Sequence, residues 1–269
     1  MMPSFSLAAL TALELSPIEL IDVAAACGYD HVGLRLLPAM QGVAYPLMED
    51  DAALRQTIAR LDATGVTVAD LEVVAIRPET EIAGFSAFFE AGARLRARHV
   101  LVAAYDPDLD RFADRFAGFC EAAAPYGLTA DLEFMPWTSV PDLAIARRIV
   151  ERVAQANAGI LVDALHFDRS QSSVGDFARV PAGKLHYWQL CDAPAERPAT
   201  SEAMIHAARN ERMFPGEGGL DLVSLARAMP PDIAISIEVP TATLAQTVNA
   251  EARARRALEG ARSIVAAAG

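Results

Sequence analysis

Four polar side chains near the ends of consecutive apolar runs have the types needed to hold a metal ion. They are Glu133, Asp163, Gln189 and Glu238, and each falls in the last third of a run rich in Val, Ile and Leu. Three ionised carboxylates packed together repel one another and raise one another's pKa values. A divalent cation removes that conflict, and an all-oxygen ligand set suits Mg²⁺, Mn²⁺ or a similar ion. The pattern therefore predicts one divalent-metal site.

Two of the five histidines stand near this predicted site. His166 follows Asp163 by three residues, and His206 lies in a later polar segment. An imidazole with a pKa near neutrality can act as a general acid or base beside a metal. We expect His166 to be catalytic and His206 to contact the substrate. The remaining three, which begin apolar runs and are expected to be structural, are His31, His99 and His186.

Arginines supply a third kind of candidate group. The guanidinium offers a planar fork of donors that matches a carboxylate or a phosphate. Because the chain carries 23 Lys and Arg against 35 Asp and Glu, for a net charge of −12, several arginines at one site indicate an anionic substrate. Ordinary surface pairing with nearby glutamates is the alternative. The predicted substrate contacts besides His206 are Arg35, Glu72, Arg197, Arg209, Arg212 and Glu217.

The elements that must position these groups repeat about every 30 residues, the length of one strand-plus-helix unit. Short apolar runs predict strands that are buried on both faces, and longer segments with helical spacing lie between them. The eight predicted strands are Ser4–Leu7, His31–Leu36, Thr67–Val73, His99–Tyr105, Thr129–Met135, Gly159–Leu165, Leu185–Cys191 and Ala234–Val239.

Eight such units without a long polar linker predict an α/β fold, a single (β/α)₈ TIM barrel that occupies residues 1–269. An open doubly wound sheet is disfavoured, because no GxGxxG or GxxxxGK[ST] loop follows any predicted strand. The longest interval contains Ala193–Leu220, which is rich in Pro, Arg, Glu and Gly. In a barrel it is expected to be a loop on the C-terminal rim, where active sites are built.

Composition excludes several other classes of protein. Hydrophobic residues make up 53% of the chain, which is enough apolar surface for a packed core and excludes intrinsic disorder. Three scattered cysteines indicate free thiols in a reducing compartment. Charged residues interrupt every apolar run before the roughly 18 residues that a membrane span requires. A cytoplasmic enzyme with a small-molecule substrate is expected, with no membrane or nucleic-acid partner, and formation of a homo-oligomer is left open.

Several short segments resemble the xylose isomerase-like TIM-barrel superfamily, the group often labelled sugar phosphate isomerases/epimerases. Members hold one divalent metal through Glu, Asp, His and Glu from strands five to eight. The resemblance implies Glu133, Asp163, Gln189 and Glu238 as the ligands, with Gln189 where most members have His. The segments that carry it are Leu132-Glu133-Phe134, Val162-Asp163-Ala164-Leu165-His166-Phe167, Gln189-Leu190-Cys191-Asp192-Ala193, Pro215-Gly216-Glu217-Gly218 followed by Leu220-Asp221, and Ile237-Glu238.

Gln189 indicates which branches of this superfamily the chain resembles most. Its neutral amide oxygen is a harder ligand than imidazole, which favours Mg²⁺, Mn²⁺ or Co²⁺ over Zn²⁺. Gln at this place resembles the 3-dehydroshikimate dehydratase branch, in which the His three residues after the Asp is a base, and this implies that role for His166. In the ketohexose epimerase branch the two metal-bound glutamates move the proton, which implies catalytic roles for Glu133 and Glu238. Inosose dehydratases form another branch. The apurinic endonuclease barrel is disfavoured, because it needs many rim histidines and a basic DNA-binding face.

These branches share removal of a proton from the carbon next to a carbonyl. Return of the proton gives an isomerase or epimerase, whereas departure of a β-hydroxyl gives a dehydratase. We expect an isomerase/epimerase-like enzyme that acts on a small, polyhydroxylated, anionic substrate. The alternatives are a dehydratase of the 3-dehydroshikimate or inosose type, and a non-catalytic barrel that only binds its ligand. The sequence leaves the exact substrate open.

Overall fold

The computed structural model describes residues 3–38, 45–170, 172–181 and 183–269. Within them the strands are β1 (Phe5–Leu7), β2 (His31–Arg35), β3 (Thr67–Ile76), β4 (His99–Ala104), β5 (Thr129–Glu133), β6 (Ala158–Asp163), β7 (Tyr187–Leu190) and β8 (Ala234–Ile237). The α-helices in these ranges are α1 (Pro17–Cys27), α2 (Asp51–Thr64), α3 (Ser86–Arg94), α4 (Leu109–Ala123), α5 (Leu143–Val153), α6 (Ala164–Arg169), α7 (Ser201–Asn210), α8 (Leu222–Ala228) and α9 (Ala250–Ala268).

The strands form a closed parallel barrel in chain order, which β1 completes by pairing with β8. The predicted (β/α)₈ barrel is therefore confirmed. Six predicted strands end one or two residues too late, whereas β3 continues to Ile76, three residues beyond the predicted Val73. At β6 the strand ends at Asp163, whose side chain accepts a hydrogen bond from the backbone N–H of His166 (2.9 Å) and caps α6.

Alternation along the strands divides the buried residues into two sets. Val100 and Val102 of β4 belong to the large apolar core between the strands and the helices. Leu101 forms a separate small cluster with Leu161 and Tyr187 from β6 and β7. Since side chains alternate between the two faces of a strand, this small cluster fills the barrel interior. Polar side chains occupy the interior-facing positions nearer both ends of these strands.

Two helical boundaries differ from the sequence expectation. The interval Ala193–Leu220 is not all loop, because α7 forms within it and begins where the Thr200 hydroxyl accepts a hydrogen bond from the backbone N–H of Ala203 (3.2 Å). The last helix begins at Ala250 rather than near Leu244, since Asn249 caps it through a bond from the N–H of Ala252 (2.9 Å). Among the described residues, no helix is both long and apolar enough to cross a bilayer.

Candidate active site

A pocket opens at the C-terminal end of the barrel, where the strand ends converge. Its floor and walls combine apolar residues, such as Leu10, Leu13 and Met135, with polar groups from several strands and loops. This is the end of a TIM barrel at which enzymes place their active sites. The polar and aromatic side chains that line it are Arg35, Glu72, Arg77, Tyr105, Glu133, Trp137, His166, Arg209, Arg212 and Glu238.

Arg212 is the buried cation at the centre of this site. Its Nη1 donates a hydrogen bond to Oδ2 of Asp163 (2.5 Å), and its Nη2 lies 2.9 Å from Oε2 of Glu238. Its Nε donates to the carbonyl of Ala208 (2.7 Å), which fixes the plane of the guanidinium. Sequence reasoning predicted a substrate contact here. The structure shows a residue that lines the pocket and also bridges two predicted metal ligands.

The carboxylates around Arg212 differ in their electrostatic state. Burial alone would raise the pKa of Asp163, but the nearby Arg212 guanidinium and the N–H of His166 hold it below its ordinary value. Burial, together with the charges of Asp163 and Glu238, raises the pKa of Glu133 well above its ordinary value. Burial also raises the pKa of Glu238 to about 7, although Arg212 opposes this. One guanidinium thus cannot balance all three carboxylates when they are ionised.

His166 lies between the carboxylates on the first turn of α6. Its Nε2 is 3.6 Å from Oε1 of Glu133, and its Nδ1 is 4.0 Å from Oδ1 of Asp163. The edge of its ring contacts Trp137, with the ring centroids 5.0 Å apart. Burial lowers the pKa of His166 to about 4, which keeps the imidazole neutral at neutral pH. A neutral imidazole has a lone pair that can accept a proton or bind a cation.

Gln189 lies below the pocket surface and is fully buried. Its Nε2 donates to Oε1 of Glu238 (3.0 Å), and register pairs it with Asp163 on the neighbouring strand. Its amide oxygen accepts no hydrogen bond from any residue that the structure describes. A buried carbonyl oxygen in this position retains its lone pairs for a ligand.

The donor set fits a divalent cation. Ligand atoms of Glu133, Asp163 and His166 all lie within 4.8 Å of one another. Glu238 is connected to this group through Arg212 and Gln189, and the amide oxygen of Gln189 adds a neutral oxygen donor. A cation here would offset the uncompensated charge of the glutamates. It would also compete with Arg212 for the oxygens of Asp163 and Glu238.

A second group of polar residues lines the outer wall of the pocket. Arg35 lies 3.4 Å from Glu72, whose other oxygen accepts a bond from the N–H of Ala9 (2.8 Å). The Arg77 guanidinium stacks over the ring of Tyr105, 4.8 Å from its centroid. Arg209 donates to the hydroxyl of the same tyrosine (3.3 Å). The predicted contacts that the structure places along the pocket are Arg35, Glu72, Arg209 and Arg212.

Three other predicted contacts do not line this pocket. Arg197 is exposed in the segment after β7. His206 is exposed on α7 and does not line the pocket, although Ala208 and Arg209 of the same helix do. Glu217 forms a two-bond ion pair with Arg256 of α9 on the exterior, with both N–O distances 2.6 Å.

Sequence reasoning missed three residues at this end of the barrel. Tyr105 and Trp137 line the pocket, but aromatic residues that follow strands are also typical of a core. Asp192 directly follows β7, and its side chain organises the rim. Its carboxylate accepts four backbone N–H bonds of 2.8–3.1 Å, and the donors are Ala193, Gly216, Gly218 and Leu220.

The glycines of Pro215–Gly218 are explained by this contact. Gly216 has a φ of 87°, in the left-handed region that favours glycine. A Cβ on Gly218 would come within 2.3 Å of Oδ1 of Asp192 and of the carbonyl of Ala193. The backbone N–H groups of this segment therefore surround the Asp192 carboxylate. The segment lies shortly after Arg212 and Met213 in the chain. Antiparallel backbone bonds between Met213 and Asp192 (2.8 and 2.9 Å) hold its start.

Comparison with known families agrees with this geometry. The model of the xylose isomerase-like TIM barrel matches residues 21–264. The chain belongs to this family. In fold it is similar to a crystal structure of the IolI protein with a bound zinc atom, at 20% identity and a TM-score of 0.83, with 98% of each chain covered.

Two curated enzymes resemble part of the chain. A 3-dehydroshikimate dehydratase from Pseudomonas aeruginosa is 32% identical over 111 residues, which are 41% of this chain and 17% of the relative. An inosose isomerase from Halalkalibacterium halodurans is 28% identical over 125 residues, which are 44% of this chain and 42% of the relative. The matches thus span less than half of each enzyme. Members of the family include isomerases and dehydratases.

The role assigned to Asp192 predicts a large loss of stability in Asp192→Ala. Four backbone N–H groups lose their acceptor, so we expect the free energy of unfolding in urea to fall by about 3 kcal/mol. Asp221→Ala is a matched control, because Asp221 caps α8 through one bond from Ser224 (3.2 Å). Its expected cost is about 1 kcal/mol. Equal losses in the two variants would contradict the role of Asp192.

Proposed function

We propose that this protein is a divalent-metal-dependent enzyme of the isomerase/epimerase type. Its substrate is a small, polyhydroxylated and anionic carbonyl compound. The observation that carries the proposal is the presence of two buried glutamates, Glu133 and Glu238, in the wall of one pocket, beside Asp163 and an otherwise unbonded oxygen of Gln189. Glu133 ends β5 and Glu238 follows β8, with β6 and β7 between them. Since both line one pocket, a bound molecule can lie between the two carboxylates.

The proposed metal ligands are Glu133, Asp163, Gln189 and Glu238. A divalent cation bound there would act as a Lewis acid on the substrate carbonyl and so favour loss of the neighbouring proton. The amide oxygen of Gln189 is a hard, neutral donor, which favours Mg²⁺, Mn²⁺ or Co²⁺. The zinc atom in the IolI crystal structure supports metal binding at this fold.

The protein groups perform the proton movements. One glutamate carboxylate accepts the proton as the C–H bond next to the carbonyl breaks, and the electron pair passes to the carbonyl oxygen. The other glutamate, as a carboxylic acid, returns a proton to the opposite face, or to the adjacent carbon after a shift of the double bond. Arg212 donates a hydrogen bond to Asp163 and so favours its ionised form. The basic groups of the outer wall, Arg35 and Arg209, orient the anionic group of the substrate.

Proton exchange with solvent tests this proposal. The enzyme is incubated with Mn²⁺ in D₂O with a ketohexose phosphate, an anionic member of the proposed class, and ¹H NMR follows loss of the signal next to the carbonyl. Glu133→Gln and Glu238→Gln should each slow the exchange by about 100-fold or more, since each removes a positioned acid or base. Glu217→Gln is the control, because Glu217 pairs with Arg256 outside the pocket, and it should exchange at the wild-type rate. Full activity in both pocket variants, or ligand binding without any exchange, would contradict the proposal.

A dehydratase is the second candidate, and the environment of His166 favours it. This imidazole is buried beside Glu133, lines the pocket, and its Nδ1 has no hydrogen-bond partner among the described residues. In that reaction His166 removes the proton and a β-hydroxyl leaves as water. The partial similarity to 3-dehydroshikimate dehydratase supports this alternative.

His166→Gln separates the two candidates. Gln fills a similar volume but cannot act as a base at neutral pH. For a dehydratase, formation of the conjugated product from 3-dehydroshikimate, followed by ultraviolet absorbance, should fall by about 100-fold or more. For an isomerase that uses the two glutamates, the solvent-exchange rate should change far less. An unchanged dehydration rate in His166→Gln would exclude His166 as the base.

A further inference from the structure

The opposite, N-terminal end of the barrel carries a second cluster of metal-ligand side chains. His99 is the first residue of β4, Asp131 lies in β5, and His186 directly precedes β7. Asp131 is fully buried, while the side chains of His99 and His186 are 14% and 17% exposed. The two imidazoles are therefore the part of this cluster that solvent reaches.

The distances in this cluster are short enough for shared coordination. Oδ1 of Asp131 lies 2.6 Å from Nδ1 of His186, and Oδ2 lies 3.8 Å from Nδ1 of His99. One ligand atom from each of the three residues lies within 4.8 Å of the other two. Thr129 adds a hydroxyl, which is 2.6 Å from Oδ2 of Asp131 and 2.8 Å from Nδ1 of His99.

Gly159 on β6 is the residue that leaves room for this arrangement. A Cβ at this position would lie 2.2 Å from Oδ1 of Asp131 and 2.5 Å from Nδ1 of His186. Any larger residue would displace both side chains. The absence of a side chain at Gly159 thus allows the Asp131 carboxylate and the His186 imidazole to meet beside β6.

We propose that His99, Asp131 and His186 form a second metal site, which binds a divalent transition-metal cation of the Zn²⁺ class. Two imidazoles and one carboxylate are ligands that such ions prefer, in contrast to the mainly oxygen donors at the other end of the barrel. The Thr129 hydroxyl or a water would complete four-coordination. Binding replaces the proton shared by Asp131 and His186, which is released to solvent.

The donor side chains must shift to share one ion. Ligand atoms bound to one tetrahedral Zn²⁺ at about 2.0–2.1 Å lie roughly 3.3 Å apart, so the 3.8 Å gap to His99 must close slightly and the 2.6 Å gap to His186 must open. The two rings are nearly parallel, with an interplanar angle of 5° and centroids 5.9 Å apart, so one ring must also tilt. The neighbouring cations are Arg98 and Lys184, and the Lys184 ammonium is engaged by the carbonyl of Gln155 (2.7 Å).

A cation at this site would connect β4 and β5 to the start of β7. Because β6 lies between β5 and β7 in the sheet, the metal would act as a cross-link across the N-terminal mouth. Its role would be to stabilise the barrel, independently of the reaction proposed at the opposite end.

Cobalt binding to the metal-free full-length protein tests this inference. The probe is Co²⁺ alone, measured by equilibrium dialysis and by its visible absorption. The wild type should bind two Co²⁺ per chain, and His99→Gln/His186→Gln should bind one, with the affinity of the lost site reduced at least tenfold. Glu133→Gln/Glu238→Gln should lose the other ion and keep the absorption that nitrogen ligands cause. His31→Gln is the control, since His31 contacts Thr67 and Ser4 instead, and it should retain both ions.

Two results would overturn the inference. The first is Co²⁺ binding that is identical in the wild type and in the folded His99→Gln/His186→Gln variant. The second needs no variant: Zn²⁺ added to the ¹⁵N-labelled wild type leaves the imidazole resonances of His99 and His186 unshifted. Loss of Co²⁺ from only the histidine variant, with binding unchanged in the glutamate variant, would contradict the proposed function and leave this site standing.

Discussion

The electrostatic repulsion among buried carboxylates at the C-terminal mouth is the constraint on which the rest of the site depends. Glu133, Asp163 and Glu238 are all buried, and Arg212 bridges two of them, Asp163 and Glu238. A guanidinium can neutralise one of these charges, and the lowered pKa of Asp163 shows which one it favours. The two glutamates remain the groups with raised pKa values. A site of this kind gains stability by binding a cation or by taking up protons, and both properties suit proton-transfer chemistry.

The barrel itself supplies the geometry of that constraint. Alternate residues of each strand face the barrel interior. Asp131 and Glu133 of β5 therefore both point inward, towards its N-terminal and C-terminal ends respectively. The layer of Leu101, Leu161 and Tyr187 separates these ends. Polar residues above this layer form the pocket, and those below it form the histidine cluster. One repeating pattern therefore creates two chemically different sites, one dominated by oxygen donors and one with two imidazoles.

The sequence predicted the fold, and the grouping of Glu133 and Glu238 at one end of the barrel, because both rest on local, repeated signals. Strand-plus-helix units recur, and polar residues such as Glu133 and Glu238 interrupt apolar runs at equivalent depths. The rim contacts had no such signal. Glu217 pairs with Arg256 of α9, 39 residues later, and His206 is exposed although Arg209, one turn later on α7, lines the pocket. Tyr105 and Trp137 were missed because their aromatic side chains do not differ in type from those of the core.

Crystals soaked with Mn²⁺ and measured at an X-ray energy where manganese scatters anomalously provide the most direct test of the metal site. The account predicts one anomalous peak in the pocket, bounded by carboxylate oxygens of Glu133, Asp163 and Glu238 and by the amide oxygen of Gln189. It also predicts that Arg212 gives up at least one of its two carboxylate contacts. Absence of a peak there, with Arg212 still bridging Asp163 and Glu238 at saturating Mn²⁺, would contradict it.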